Sequence, residues 1–251
     1  MRSYLLSSAL ILAAAVAGCS GKDDGPAPVQ QTGTKRVDAS TSGSIAGRVT
    51  FQGQAPAPAA LRVDADPACT ANGNTLTDES LVVDASGGLK NAFVHVKDGL
   101  ADYAFDTPAE PVVLDQKGCK YEPHVFGVRV GQPIEILNSD ATLHNVHAMP
   151  QRNGEFNQGM PLQGMKLKET FTAPEIGVPF KCDVHGWMAS YAGIVAHPYF
   201  AVTDAAGRFS LPNLPPGTYT LEVWHEKLGT RTQQITIAPK QSADANFTFA
   251  G

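Results

Sequence analysis

Short alternations of apolar and polar residues run through most of this chain. Residues 44–51, 92–96, 111–114, 126–130 and 133–138 read SIAGRVTF, AFVHV, PVVL, FGVRV and PIEILN, and residues 168–172, 191–197, 208–211, 218–224 and 232–237 read KETFT, YAGIVAH, RFSL, TYTLEVW and TQQITI. Clusters of Gly, Pro and Asx separate them, and the period of two is that of half-buried strands. No window sustains the helical period long enough for a substantial amphipathic helix. The pattern predicts an all-β chain of antiparallel sandwiches.

At one strand end the pattern gives way to chemistry. GVPFKC reads as a strand ending at Cys182, and YAGIVAH as the next strand, so the segment KCDVHGWM is a loop between them. It carries a thiol at Cys182, an imidazole at His185 and a thioether at Met188. Two imidazoles and a thiolate with a weak axial thioether form the donor set of a blue-copper site, and only the second imidazole is missing from the loop. His144, in LHNVH after the strand PIEILN, is the best candidate for it. His147 lies three residues further on, which puts it on the opposite face of an extended strand, at the surface or in a structural role. Met149, Met160 and Met165 are expected to pack in the core or at the rim of the site.

Residues 120–195, with KYEPHVFGVRVGQPIEILN, HNVH and KETFTAPEIGVPFKCDVHGWM, resemble the cupredoxins, and among them the amicyanin group. The resemblance implies a Greek-key β-sandwich with one type 1 copper held by His144, Cys182, His185 and Met188. It also makes Asn145 a neighbour whose backbone N–H points at the Cys182 sulfur. Gly186 and Trp187 stand where that group has Pro and Phe. The implied function is transfer of single electrons between redox partners, such as a cytochrome or a dehydrogenase-like protein, and not enzymatic catalysis. His185 is then the expected electron port on an exposed loop, with Trp187 at the docking surface. Two further readings use the same residues: copper capture or delivery, and a structural β-rich surface lipoprotein with an incidental copper site.

Residues 200–237 resemble the second part of a carboxypeptidase regulatory-like domain, a small transthyretin-like sandwich. Residues 44–56 resemble its opening strand and LKNAFVHV its next. The copper domain, residues 106–197, is therefore either inserted into a host formed by residues 45–105 and 198–251 or placed between independent segments. The regulatory-like domain is a non-catalytic appendage, so the likeness carries no catalytic role.

The N-terminus reads as processing signals. Arg2, the apolar run over residues 5–17 and VAGC at residues 16–19 resemble a bacterial lipobox, which implies a signal peptide over residues 1–18, cleavage before Cys19 and lipidation of its thiol. Ser20 favours the outer membrane over the inner, on the periplasmic or cell-surface side. Residues 19–44 have almost no apolar content and are expected to form a disordered tether, about 27 Å end to end over residues 21–44. Losing Arg2 makes the chain one charge more negative than its −5, and no basic stripe invites nucleic acid. With 43% hydrophobic residues, cores for one or two domains are available.

Of the four cysteines, two then remain. Cys69 and Cys119 are expected to form a disulfide in an oxidising compartment, the alternative being two buried thiols. His95, His124, His197 and His225 have no second ligand-type residue at metal spacing and read as structural or surface histidines.

Overall fold

Two β-sandwiches, one nested in the other along the chain, account for the fold in a computed structural model that describes residues 33–70 and 75–251. The chain first forms β1 (Gly43–Gln52), then a connection over residues 53–92 that holds one short helical turn, α1 (Pro67–Thr70), and then β2 (Phe93–Asp98). The middle follows with β3 (Val112–Gln116), β4 (Tyr121–Glu122), β5 (Val125–Arg129), β6 (Pro133–Asn138), β7 (His144–Ala148) and β8 (Phe156–Met160). It closes with β9 (Lys166–Thr170), β10 (Glu175–Lys181) and β11 (Ala189–Val195). The last part is β12 (Phe200–Val202), β13 (Arg208–Leu214), β14 (Gly217–His225), β15 (Gly229–Ile237), β16 (Ser242–Asp244) and β17 (Phe247–Ala250).

Register decides between insertion and succession. β1 pairs antiparallel with β13, Gly47 opposite Phe209, and parallel with β16 and β17, Val49 opposite Phe247. β2 lies between β12 and β14, His95 opposite both Phe200 and Glu222. Each early strand thus fills a position in a sheet whose other strands come from the C-terminal part, and the middle of the chain is an insert. Ile45, Val49, Val94, Leu211 and Leu221 fill the host core between these sheets.

The insert has its own two sheets, in the orders β5-β11-β10-β7-β8 and β4-β3-β6-β9. Inward residues of alternating strands, such as Ile134 and Ile136 on β6 and Val178 and Phe180 on β10, make its core. That core also takes Val63, Cys69 and Leu76 from the host's connection 53–92. The segment belongs to the host by chain order and to the insert by packing.

The sandwiches meet face to face through aromatic rings seated on glycines. A Cβ at Gly193 of β11 would collide with the Phe93 ring, and one at Gly127 of β5 with the Phe200 ring. Gly177 breaks the register of β10 at φ +76°, and a Cβ there would stand 2.7 Å from the Trp224 indole. These close approaches need residues without a side chain.

The expected tether ends earlier than residue 44. Thr34 and Lys35 donate backbone hydrogen bonds to the Asp102 carbonyl, Ala104 donates to Lys35, and Lys35 and Arg36 pair with Asp102 and Asp106. A polar composition conceals such backbone pairing. The expected signal peptide and Cys19 lie outside the described residues.

Candidate metal centre

β7 and β10 run antiparallel, with Lys181 opposite His147, so the residue after β10, Cys182, arrives beside the first residues of β7. Beyond that point Asn145 replaces the ladder. Its side-chain oxygen accepts the N–H groups of Asp183 and Val184, and its side-chain amide donates to Asn157 and Asp183. The Tyr121 hydroxyl lies 2.7 Å from the Asn145 carbonyl and 2.9 Å from that of Lys181, fastening the two strands just below the ligand positions. Inside the loop, Met188 donates to the His185 carbonyl and Cys182 to the Met188 carbonyl, a tight turn that fixes the relative positions of all three side chains.

The structure brings the predicted ligands together. One ring nitrogen each of His144 and His185 and the Cys182 sulfur lie within 4.8 Å of one another, and all three residues are buried. The two Nδ1 atoms are 2.9 Å apart, and His185 Nδ1 is 3.8 Å from Cys182 Sγ. Met188 is 1% exposed in the same core cluster. The Asn145 backbone N–H points at Cys182 Sγ at 3.5 Å, and that of His185 at 3.4 Å.

Carboxylates hold the outer face of both rings. His144 Nε2 is 2.9 Å from Asp140 Oδ2, and His185 Nε2 is 2.9 Å from Asp66 Oδ2. A carboxylate accepts a hydrogen bond from the ring N–H it faces, which keeps the proton on Nε2 and leaves Nδ1 of a neutral imidazole with its lone pair free. Two such lone pairs converge beside a sulfur. That donor set fits copper, and a soft site of two imidazoles and a thiolate also accommodates zinc.

Electrostatics of the metal-free site favour a proton on His144, which a bound metal would displace. Burial opposes a charge on His144, but hydrogen bonds to Asp140 and to the Cys182 thiolate outweigh it and push its pKa up to about 9. Burial likewise opposes the Cys182 thiolate, yet His144 and the N–H groups of Asn145, His185 and Val184 hold the thiol below its ordinary value. Asp140 stays below the usual carboxylate range because His144 and the N–H groups of Cys119 and Gly118 overcome its burial. Two other clusters, of Cys69 with Asp66 and His185 and of Cys119 with Asp140 and His144, offer no thiolate, since Cys69 and Cys119 are joined in a disulfide with Cα atoms 5.4 Å apart.

Two expectations about the loop need correction. His185 is 3% exposed, not a surface edge, because Asp66 covers its outer nitrogen and the Trp187 ring lies 5.0 Å away. Trp187 is half-buried, with its indole N–H donating to the Cys119 carbonyl. The large apolar side chains exposed next to the ligands in the chain are Leu143 at 45% and Val184 at 47%. His147 points away from the site to Asp183 and Glu155. Met160 is buried and meets the Gln116 side chain, Met149 is half-buried and Met165 partly exposed.

The sequence reading missed Asp66, Asp140 and Tyr121. Asp140 had a local signal, an acid four residues before His144. Asp66 had none, being 119 residues from His185.

The family model of the carboxypeptidase regulatory-like domain matches residues 190–250, which run from β11 to β17. Among solved structures, the chain is similar to a Cu-containing nitrite reductase from Thermus scotoductus SA-01, with 23% identity and a TM-score of 0.33 over 38% of this chain and 24% of that one. It is also similar to an oxidised amicyanin variant, with 22% identity and a TM-score of 0.31 over 40% of this chain and 97% of that one. A second amicyanin variant, in its Cu(I) form, gives 23% identity and a TM-score of 0.30 over 41% and 98%. No curated protein matches.

Proposed function

We propose that this chain is a lipid-anchored, extracytoplasmic type 1 copper protein that carries single electrons between redox partners. The observation that carries the reading is the convergence of His144 Nδ1, His185 Nδ1 and Cys182 Sγ in a buried position with Met188 beside them in the core. Bound copper supplies a one-electron Cu(II)/Cu(I) couple. His144, Cys182 and His185 are the strong donors, and Met188 is the weak one. Asn145 and His185 direct backbone N–H groups at the sulfur, and Asp140 and Asp66 orient the rings.

Rigidity and burial favour carrying over delivery. A delivery site needs donors that open to exchange, whereas these are tied through Asn145, Tyr121 and the two carboxylates. Buried ligands also leave no open face for a substrate, which supports a carrier over an enzyme. The proposed docking surface is apolar, with the exposed Leu143 and Val184 beside the half-buried Trp187, and suits brief contact with a redox protein. VAGC supports attachment through Cys19, with the protein on the periplasmic or outer face.

A visible absorption and paramagnetic-resonance spectrum of the Cu(II)-loaded protein tests the reading. An intense thiolate-to-copper band is expected, lost in Cys182→Ser, and retained in Met188→Gln with a shifted reduction potential. One copper bound with no thiolate band, or a centre that cannot be cycled between Cu(II) and Cu(I), would falsify the carrier. Rapid loss of copper to a chelator would favour capture and delivery instead.

A further inference from the structure

The host's connection 53–92 has a position that its sequence does not explain. Val63, Cys69 and Leu76 enter the insert's core, and α1 sits over the ligand end of that sandwich. Asp66 stands just before α1, its Oδ1 accepting the Ala68 N–H at 2.8 Å and its backbone carbonyl accepting the Cys69 N–H at 3.0 Å. Its other carboxylate oxygen faces two groups of the insert, the Thr142 hydroxyl at 2.8 Å and His185 Nε2 at 2.9 Å. Two hydrogen bonds to the carboxylate and one to the backbone carbonyl therefore fix Asp66 before it meets the imidazole.

The disulfide ties the arrangement to the second ring. Cys119, bonded to Cys69, donates its N–H to Asp140 Oδ2 at 2.8 Å, the same oxygen that faces His144 Nε2. The Cys119 carbonyl receives the Trp187 indole N–H, and Trp187 lies against His185. One covalent bridge thus has Asp66 and His185 on its Cys69 side, and Asp140 and His144 on its Cys119 side.

We infer that Asp66 is a positioning residue of the metal centre, supplied by the host sandwich to a site whose ligands all lie in the insert, and that the Cys69–Cys119 bridge holds it in place. The inference rests on the copper reading above. Asp66 holds the proton of His185 on Nε2 and turns Nδ1 toward His144 and Cys182. A carboxylate on the outer nitrogen also raises the donor strength of an imidazole. A stronger donor favours Cu(II) over Cu(I), so Asp66 lowers the reduction potential and tightens Cu(II) binding.

Asp66→Asn tests this, because Asn keeps the cap on Ala68 through its oxygen while the atom facing Thr142 and His185 becomes an NH2 donor, so both the charge and the acceptor for the Nε2–H are lost. Chelator competition on the full mature protein should show Cu(II) binding weakened about 10–100-fold, with the thiolate band retained. If Cu(I) binding is untouched, each tenfold loss raises the potential by about 59 mV. Asp64→Asn, the same charge change at an exposed neighbour, should match the wild type. The double variant Cys69→Ser with Cys119→Ser should move affinity and potential in the same direction as Asp66→Asn. A third readout needs no copper: nitrogen-15 NMR of the metal-free protein should show a slowly exchanging His185 Nε2–H that disappears in Asp66→Ala. Unchanged affinity and potential in Asp66→Asn, with a normal wild-type band, would overturn the inference. A wild type without the band sinks the copper reading alone, and the Nε2–H resonance then decides whether Asp66 positions His185: retention in Asp66→Ala refutes it.

Discussion

Two histidines on the host side and one in the insert are pushed in opposite directions. On the host side, burial first of all pushes His197 and His225 down to about 4. Their partners are backbone: His197 Nε2 meets the Val96 carbonyl and its Nδ1 the Tyr199 N–H, while His225 Nδ1 accepts the Lys227 N–H. Such rings are built to stay neutral. In the insert, His144 is just as buried and is pushed up to about 9 by Asp140 and Cys182. Burial alone does not single out the candidate metal site, then; a carboxylate behind the ring and a thiolate in front of it do.

The largest effect concerns whether the two regions can differ in this way and still unfold as one body. Phe93 belongs to host strand β2, is fully buried, and rests its ring on Gly193 of the insert. Phe93→Ala leaves a cavity at the junction and should cost about 3–5 kcal/mol. The two tryptophans report separately, Trp224 from the host side of the junction and Trp187 from the metal end. Urea unfolding of the wild type should give one transition at both, and Phe93→Ala should lower both midpoints together. A midpoint that falls at Trp224 and stays put at Trp187 would mean that the sandwiches are stable independently.

What the sequence revealed about the two regions follows from the range of the interactions. His144 and Asn145 are adjacent, and Cys182, His185 and Met188 share one turn, so the candidate ligand set was legible from short stretches. The Cys69–Cys119 bridge was legible by elimination among four cysteines. The nesting was left open because β1 finds its partners β13, β16 and β17 only across the whole insert. The covering of His185 was invisible for the same reason: residues 53–92 are rich in Pro, Ala and Asp and carry no sign that Asp66 faces a ring 119 residues away. Polarity made the loop look exposed, and a segment from the other domain covers it.

Stability against pH sharpens the contrast at intermediate magnitude. An imidazole whose folded pKa lies below its unfolded one binds fewer protons when folded. For His197 and His225 the stability is complete above about 6.5 and is lost as the pH falls through about 4. His144 has the opposite sign: its contribution is complete below about 6.5 and is lost as the pH rises through about 9. The Cys182 thiol, held below its ordinary value, gains stability toward high pH and offsets part of that loss. Urea midpoints of the metal-free protein should therefore fall more steeply on the acid side of neutrality than on the alkaline side. His225→Gln should flatten the acid arm alone, and an unchanged acid arm in that variant would remove His225 from the account.

The smallest effect is expected from the histidine nearest the site in sequence. His147 follows His144 on β7 by three residues, so the strand's alternation turns its ring outward, where it meets Glu155 at 2.9 Å and Asp183 at 3.0 Å. The hydrogen bond to Glu155 raises its pKa against the pull of burial, with Asp183 adding to the rise, so its surroundings favour the charged form over metal ligation. Exposed ion pairs of this kind contribute about 0–1 kcal/mol. His147→Ala should thus leave the copper spectrum and potential unchanged and lower stability by no more than that, while His144→Ala should disrupt the spectrum. The reverse outcome, a thiolate band that survives His144→Ala and vanishes in His147→Ala, would mean that the inner and outer faces of β7 have been exchanged, and with them the distinction between a ring held for a metal and a ring held by surface charge.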